Sequence, residues 1–345
     1  MQVVSMSVKE KMGEEPTNLH TQCSKYSRVV ACIDEIQDSW KVVPYSAIVA
    51  KAFDAELTLM HVIETGAKCG TPPDPIASSL LRREASMKME NLAKNWTDGV
   101  SDIDTTILEG HPGDQICIWA KDHHVDLTVI CTRQDRAVCD WDVGDTARRV
   151  MDCVTGSVLL IPECITGGDA SCRKILAPLD GSSRAESALQ IALKLAETQN
   201  AELVLVHAVP EPHFTDIGPL EPEDIELRRR LLQRNESAGR TYLNQIRDRL
   251  YDRSIAVRTV ILSGGDPRHL IARAIVDERA DMVVVSSHGC SGHIDMSAGS
   301  VASHLMTHTS IPLFIVRSAL GAPSGNLGAA KGFSTGLRLP TREVA

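Results

Sequence analysis

The chain repeats itself, and this limits what it can fold into more than any other feature. Ala55-Glu56-Leu57-Thr58-Leu59-Met60-His61 matches Ala201-Glu202-Leu203-Val204-Leu205-Val206-His207 at an offset of 146. The same offset carries Asp34 onto Asp180 and Ala50 onto Ala196. Farther along the offset is 155, which places Gly110 on Gly265, Pro112 on Pro267, Asp126 on Asp281, Gly144 on Gly299 and Met151 on Met306. Two constant offsets in the same order mark a duplication, with nine extra residues between these blocks in the second copy. At roughly 150 residues per domain, two copies account for most of the 345 residues.

Each copy reads as alternating strands and helices. In the second, the apolar run Lys174 to Leu179 predicts a buried strand. Ser182 or Ser183 is placed to cap a helix whose apolar stripe is Ala188, Leu189, Ala192, Leu193 and Ala196. The pattern then predicts a strand over 203–209, a long helix from Glu221 to about Leu250, and a strand over 256–262. Pro267 opens another helix, to about Asp277. A strand over 282–287, a helix from about Ala298 to His308 and a strand over 313–316 complete the copy. Strands separated by helices imply a parallel sheet, so the expected fold is α/β: two tandem doubly wound domains, each a five-stranded parallel sheet of order 3-2-1-4-5 with helices on both faces. The expected boundaries are a disordered segment over 1–25, domain one over 26–162, a linker over 163–172, domain two over 173–318 and a disordered tail over 319–345.

Composition supports this and excludes other classes. Aromatics are only 3% of the chain, so the core must come from Val, Ile, Leu and Ala, which suit parallel strands covered by helices. A net charge of −9 argues against nucleic-acid binding. Apolar runs such as Val158 to Ile161 are too short to cross a bilayer, and the first 25 residues lack the apolar core of a signal peptide, so a cytoplasmic address is expected. Ten cysteines are present without a CxxC pair, and Cys32 and Cys131 lie in apolar strand-like runs. They read as free core residues, with no disulfide. His304 and His308 stand at i, i+4 on a helix, but no third ligand is near in sequence, so no metal site is expected.

In an open parallel sheet, ligands bind beyond the carboxyl ends of the strands at the topological switch point. Two segments of the second copy leave strands there: Pro178-Leu179-Asp180-Gly181-Ser182, and Ser286-Ser287-His288-Gly289 followed by Gly299-Ser300 at a helix start. Such glycines either turn the chain or let backbone N–H groups approach an anion, aided by the helix dipole. The glycines alone leave both readings open.

The second segment resembles the nucleotide loop of the universal stress protein family, written Gly, two residues, Gly, nine residues, Gly, Ser/Thr. Gly289, nine residues and Gly299-Ser300 fit that spacing without a gap, while Ser286 stands at the first glycine. If that position requires φ > 0, the Cβ of Ser286 weakens binding. Asp180-Gly181-Ser182 and His207-Ala208-Val209 also look like family features, and the similarity spans about Ser27 to Arg317. The resemblance implies a stress-response protein that binds an adenine nucleotide, ATP with or without Mg2+. Its site would be Pro178, Asp180, Ala208, Val285, Ser286, Gly289, Gly299, Ser300 and Val301. Asp180 would lie near adenine or ribose, Ala208 would offer backbone to adenine, Val285 would line the base pocket, and Gly289, Gly299, Ser300 and Val301 would hold phosphates. In the first copy the matching positions are Cys131, Gln134, Gly144 and Asp145, so its loop is degenerate and a carboxylate replaces the hydroxyl. Family domains pair through their last strands, which implies an internal pseudo-dimer here and leaves a homodimer as a further option.

No catalytic residue is assigned. The glycine loop contains no Lys, and without a cation near a γ-phosphate the charge of a transition state goes unstabilised. The expected activity is therefore a regulator or sensor with little or no turnover, at most weak ATP hydrolysis. The alternatives are a nucleotide-independent protein-interaction module and an adenylating or nucleotidyl-transfer enzyme. Ser263-Gly264-Gly265-Asp266 superficially resembles the loop of pyrophosphate-releasing ATPases, but it follows the third strand of its copy rather than the first.

Overall fold

The computed structural model of the chain describes residues 26–34, 41–64, 75–95, 103–132, 143–165, 170, 172–212, 221–289 and 298–317. The first copy runs β1 (Arg28–Ile33), α1 (Val42–Phe53), β2 (Glu56–Ile63), α2 (Pro75–Asn95), β3 (Ile103–Glu109), α3 (Pro112–Asp122), β4 (Leu127–Thr132), α4 (Asp145–Cys153) and β5 (Ser157–Pro162). The second runs β6 (Lys174–Pro178), α5 (Ser183–Gln199), β7 (Glu202–Pro210), α6 (Pro222–Arg249), β8 (Val257–Gly265), α7 (Pro267–Asp277), β9 (Met282–Ser286), α8 (Ser300–His308) and β10 (Leu313–Val316). The segments expected to be disordered, 1–25 and 319–345, lie outside the described residues, as does Gln134.

All ten strands form one sheet, ordered β3-β2-β1-β4-β5-β10-β9-β6-β7-β8. Each copy therefore has the order 3-2-1-4-5, and the repeated heptapeptides fall on equivalent strands, β2 and β7. Pairing is parallel throughout except at the join, where β5 and β10 run antiparallel with Leu160 opposite Leu313 and Val158 opposite Ile315. The last strands of the two copies thus pair within one chain.

Side chains alternate across the sheet with the period of two that a pleat imposes. Val29, Ala31 and Ile33 join a core covered by α1, α2, α5 and α6, whereas Val30 and Cys32 point into one covered by α3, α4, α7 and α8. The helices lie on both faces, as doubly wound sheets require.

The duplication is visible in hydrogen bonds as well as topology. Asp126 accepts from the backbone N–H groups of Ser27 and Arg28 at 2.7 and 3.0 Å. Asp281 accepts from those of Arg173 and Lys174 at 2.8 and 2.9 Å. His61 Nδ1 meets the Ile33 carbonyl at 2.9 Å, and His207 Nδ1 meets the Leu179 carbonyl at 2.7 Å. Asp54 and Asn200, residues that tolerate the left-handed region, both end the first helix of their copy there, at φ 54° and 51°.

One expectation fails. Cys117 and Cys153 form a disulfide joining α3 to α4, with Cα atoms 5.9 Å apart. Cysteine spacing in sequence could not show this, because the partners meet only when two separate helices pack. The Cys32, Cys164 and Cys172 thiols are free.

Candidate functional site

The second copy's switch point lies between β6 and β9, neighbours in the sheet whose following segments leave in different directions. Two of those segments converge there. Asp180 follows β6 and is exposed, and its Oδ1 accepts from the Ser182 backbone N–H at 3.0 Å and the Ser182 hydroxyl at 2.6 Å. Ser182 in turn caps α5, its Oγ accepting from the Ala185 N–H at 3.2 Å. The carboxylate is thereby held while its other oxygen faces Gly289, where a Cβ would lie 2.2 Å from Asp180 Oδ2. A glycine is needed at 289 for this approach.

Gly299 comes back to the same place. Its N–H donates to the Ser287 carbonyl at 2.6 Å, and a Cβ on it would stand 3.2 Å from that oxygen and 3.9 Å from the Gly289 nitrogen. Gly299 is the N-cap of α8 and has no side chain with which to cap it. The first-turn N–H groups of a helix have no intrahelical partner. The positive end of the helix dipole lies at this same end, next to Gly289. Ser300, exposed, stands first in that turn, followed by half-buried Val301.

The remaining predicted positions lie around this point. Pro178 ends β6 opposite Val206, and Ala208 lies two residues farther along β7, half-buried. Val285 is buried in β9. Ser286 is the last residue of β9, paired with Val316, and is not among the residues of positive φ, so its Cβ brings no backbone strain. Its hydroxyl donates to the His288 carbonyl at 2.9 Å, closing the turn that glycine would otherwise make.

Sequence reasoning missed Tyr242 of α6. Its ring meets His207 edge-on at 6.2 Å, and its hydroxyl donates to Glu186 at 3.4 Å. Burial first, then the Glu186 carboxylate, pushes its ionisation above the ordinary tyrosine range, and Asp180 adds to this. The available signal was Gly239, three residues earlier: a Cβ there would lie 2.7 Å from His207. Glycine and tyrosine at helical spacing on a largely polar helix mark the face that approaches β7.

The first copy's equivalent helix start differs. Gly144, at φ 86°, caps α4, and Asp145 in the first turn supplies the helix dipole with a negative charge of its own. Ser263-Gly264-Gly265-Asp266 ends β8 and caps α7, Asp266 accepting from the Arg268 N–H at 2.9 Å, which gives that quartet a structural use. The rings of His304 and His308 stack at 3.9 Å, and His269 of α7 meets His304 edge-on at 4.9 Å. Among the described residues, no group of three or more His, Cys, Asp or Glu is arranged to hold a metal ion. No described helix is long and apolar enough to cross a membrane.

The sequence model of the universal stress protein family matches residues 25–162 and again residues 171–317. Universal stress protein YxiE of Bacillus subtilis is 28% identical over 149 residues, 42% of this chain and 98% of that protein. A universal stress protein of Mycolicibacterium smegmatis is 24% identical over 298 residues, 84% of this chain and 96% of its own length. Among solved structures, a universal stress protein from Archaeoglobus fulgidus covers 85% of the chain and 99% of its own with a TM-score of 0.57 at 15% identity, which supports the fold. The chain belongs to the universal stress protein family, with two family domains in tandem.

Proposed function

We propose that this chain binds an adenine nucleotide, ATP, at the β6–β9 switch point of its second copy, and acts as a cytoplasmic stress regulator with little or no turnover. One observation carries the reading: Gly299, the N-cap of α8 with no side chain of its own, lies beside Gly289, which abuts the held carboxylate of Asp180. First-turn helix N–H groups and the dipole suit phosphate oxygens, and glycines let the phosphates approach. A carboxylate at the end of the first strand suits ribose hydroxyls, which donate to it. Ala208 and Val285 are left for the base, and Ser300 and Val301 for the phosphates. The segment from Gly289 to Val301 contains no Lys or Arg, so binding would rest on backbone and hydroxyl groups, with Mg2+ as an optional counter-ion. The same lack of a cation argues for retention of the nucleotide over its hydrolysis.

The test is the nucleotide content of protein purified under native conditions, released with acid and read by mass spectrometry. Calorimetric titration with ATP, ADP and AMP, with and without Mg2+, accompanies it. An adenine nucleotide bound near one equivalent per chain supports the reading. Protein that carries none and gives no heat with any of the three is instead an interaction module.

A further inference from the structure

The duplication allows the same helix pair to be compared in two settings. In the first copy, Asp114 on α3 pairs with Arg149 on α4 at 2.9 Å, and one helical turn on, Cys117 is bonded to Cys153. Gly113 makes the close approach possible, since a Cβ there would lie 2.9 Å from the Arg149 side chain. In the second copy the five equivalent positions are Arg268, His269, Ala272, His304 and His308. The larger Arg268 replaces the glycine, imidazoles replace the ion pair, and no sulfur is present. The cystine therefore does not follow from the fold. It belongs to the copy whose phosphate loop is degenerate.

Its place in the structure sets it apart from the core thiols Cys32 and Cys172. Cys117 and Cys153 are both half-buried on a surface helix contact, within reach of solvent. Cys32 and Cys172 are buried in the core, where burial pushes their thiols up to about 12 and leaves them unreactive. In a reducing compartment a cystine at a surface contact is typically transient, used for redox sensing rather than as a permanent staple.

We propose that Cys117 and Cys153 form a reversible thiol–disulfide site, opened by an external dithiol and closed by a peroxide, whose state sets how firmly α4 is held. On opening, a thiolate of the dithiol attacks one sulfur, the Cys117–Cys153 bond breaks, and the second thiol of the reductant displaces the protein sulfur. Two protein thiols form, and the reductant leaves as a disulfide, having given two electrons and two protons. On closing, one thiolate attacks hydrogen peroxide to give a sulfenic acid and water, and the other thiol expels a second water as the S–S bond forms. Opening does not detach α4. Arg317, beyond β10, donates to the Met151 and Val154 carbonyls on either side of Cys153, and the Asp114–Arg149 pair remains. The bond therefore tunes α4 within an intact sheet, and it does so independently of any nucleotide.

The test uses the full chain, treated with hydrogen peroxide or with dithiothreitol, alkylated, and mapped by mass spectrometry. Hydrogen exchange of the α4 amides, Arg148 to Val154, is followed in both states. Peroxide should yield a linked Cys117–Cys153 peptide. Dithiothreitol should open it without unfolding the protein, and α4 amides should then exchange about tenfold faster or more, with those of α8 unchanged. Cys117→Ser should show the faster rate in both conditions. Three results each overturn the proposal: both thiols alkylated after peroxide, a bond that opens only on global unfolding, or α4 exchange that ignores the redox state.

Discussion

Ser300 and Asp145 occupy equivalent places at the heads of α8 and α4, and they treat an incoming anion in opposite ways. A hydroxyl at Ser300 can donate to a phosphate oxygen, whereas the Asp145 carboxylate already satisfies the dipole of its helix. Ser300→Asp therefore copies the first copy's chemistry into the second. Losing one charge-assisted hydrogen bond costs about 1.5–3 kcal/mol, and repulsion adds to it, so ATP affinity should fall at least about tenfold. Asp145→Ser should leave ATP binding unchanged. Calorimetric titration of the two variants decides the matter, and a loss confined to Asp145→Ser would place the site in the wrong copy. Gly289→Ala belongs to the same experiment. Its new Cβ meets Asp180 Oδ2, and Asp180 has little freedom to yield because Ser182 holds its other oxygen. Overpacking of this kind costs about 1–3 kcal/mol, which should appear as weaker binding with the fold retained.

At the scale of elements, what ties a strand to its neighbours is repeated as faithfully as the sequence. Asp126 and Asp281 each fasten the start of the first strand of their copy by two backbone N–H groups. Replacing either by Ala takes the shared acceptor from both N–H groups, and each substitution should cost about 2 kcal/mol in urea unfolding. A cost confined to one of them would show that the copies no longer share this fastening. The α7–α8 contact is where they have diverged. Burial, then the His308 and His269 imidazoles, holds His304 below the ordinary histidine range, with Arg268 acting in the same direction and Asp266 opposing it. A depressed histidine leaves the unfolded chain binding more protons, so its stabilising effect is present above about pH 6.5 and is lost as pH falls through its folded value. Unfolding midpoints measured from pH 7.5 down to 5 should drop more steeply for the parent than for His304→Gln. The strands of the second copy were legible in sequence as short apolar runs, and its helices as periodic segments, with starts marked by Ser182, Pro267 and Gly299. Boundaries moved by one to three residues, as in β6, which ends at Pro178 instead of Leu179, and β8, which runs on to Gly265. Three features were not legible: the Cys117–Cys153 bond, the meeting of His269 with His304, and Tyr242 beside His207. Each depends on how two elements distant in sequence pack, and neither periodicity nor motif spacing carries that.

The whole molecule is one sheet because the two copies share an edge. The seam residues Leu159, Leu160, Phe314 and Ile315 are buried, so it is a continuation of both cores. A polar tie crosses it as well: the Arg317 backbone N–H donates at 3.1 Å to Ser157 Oγ, which also accepts from the Tyr26 hydroxyl at 2.8 Å, and Phe314 lies 5.8 Å from the Tyr26 ring. Pairing β5 with β10 inside one chain also removes two edges that would otherwise be open to other chains. The surface by which the family resemblance implies dimerisation is thus already occupied, and any homodimer must use another face. Such a seam should make the copies unfold together. All four tryptophans, Trp40, Trp96, Trp119 and Trp141, belong to the first copy, so tryptophan fluorescence reports that copy alone while far-ultraviolet circular dichroism reports both. Phe314→Ala lies in the second copy and should cost about 3–5 kcal/mol by the cavity it opens. If the seam couples the copies, the fluorescence midpoint in urea should fall with the dichroism midpoint, and the two curves should stay superimposed. A fluorescence transition that stays in place while the dichroism curve splits would mean that the copies unfold independently and that the shared edge is only an abutment.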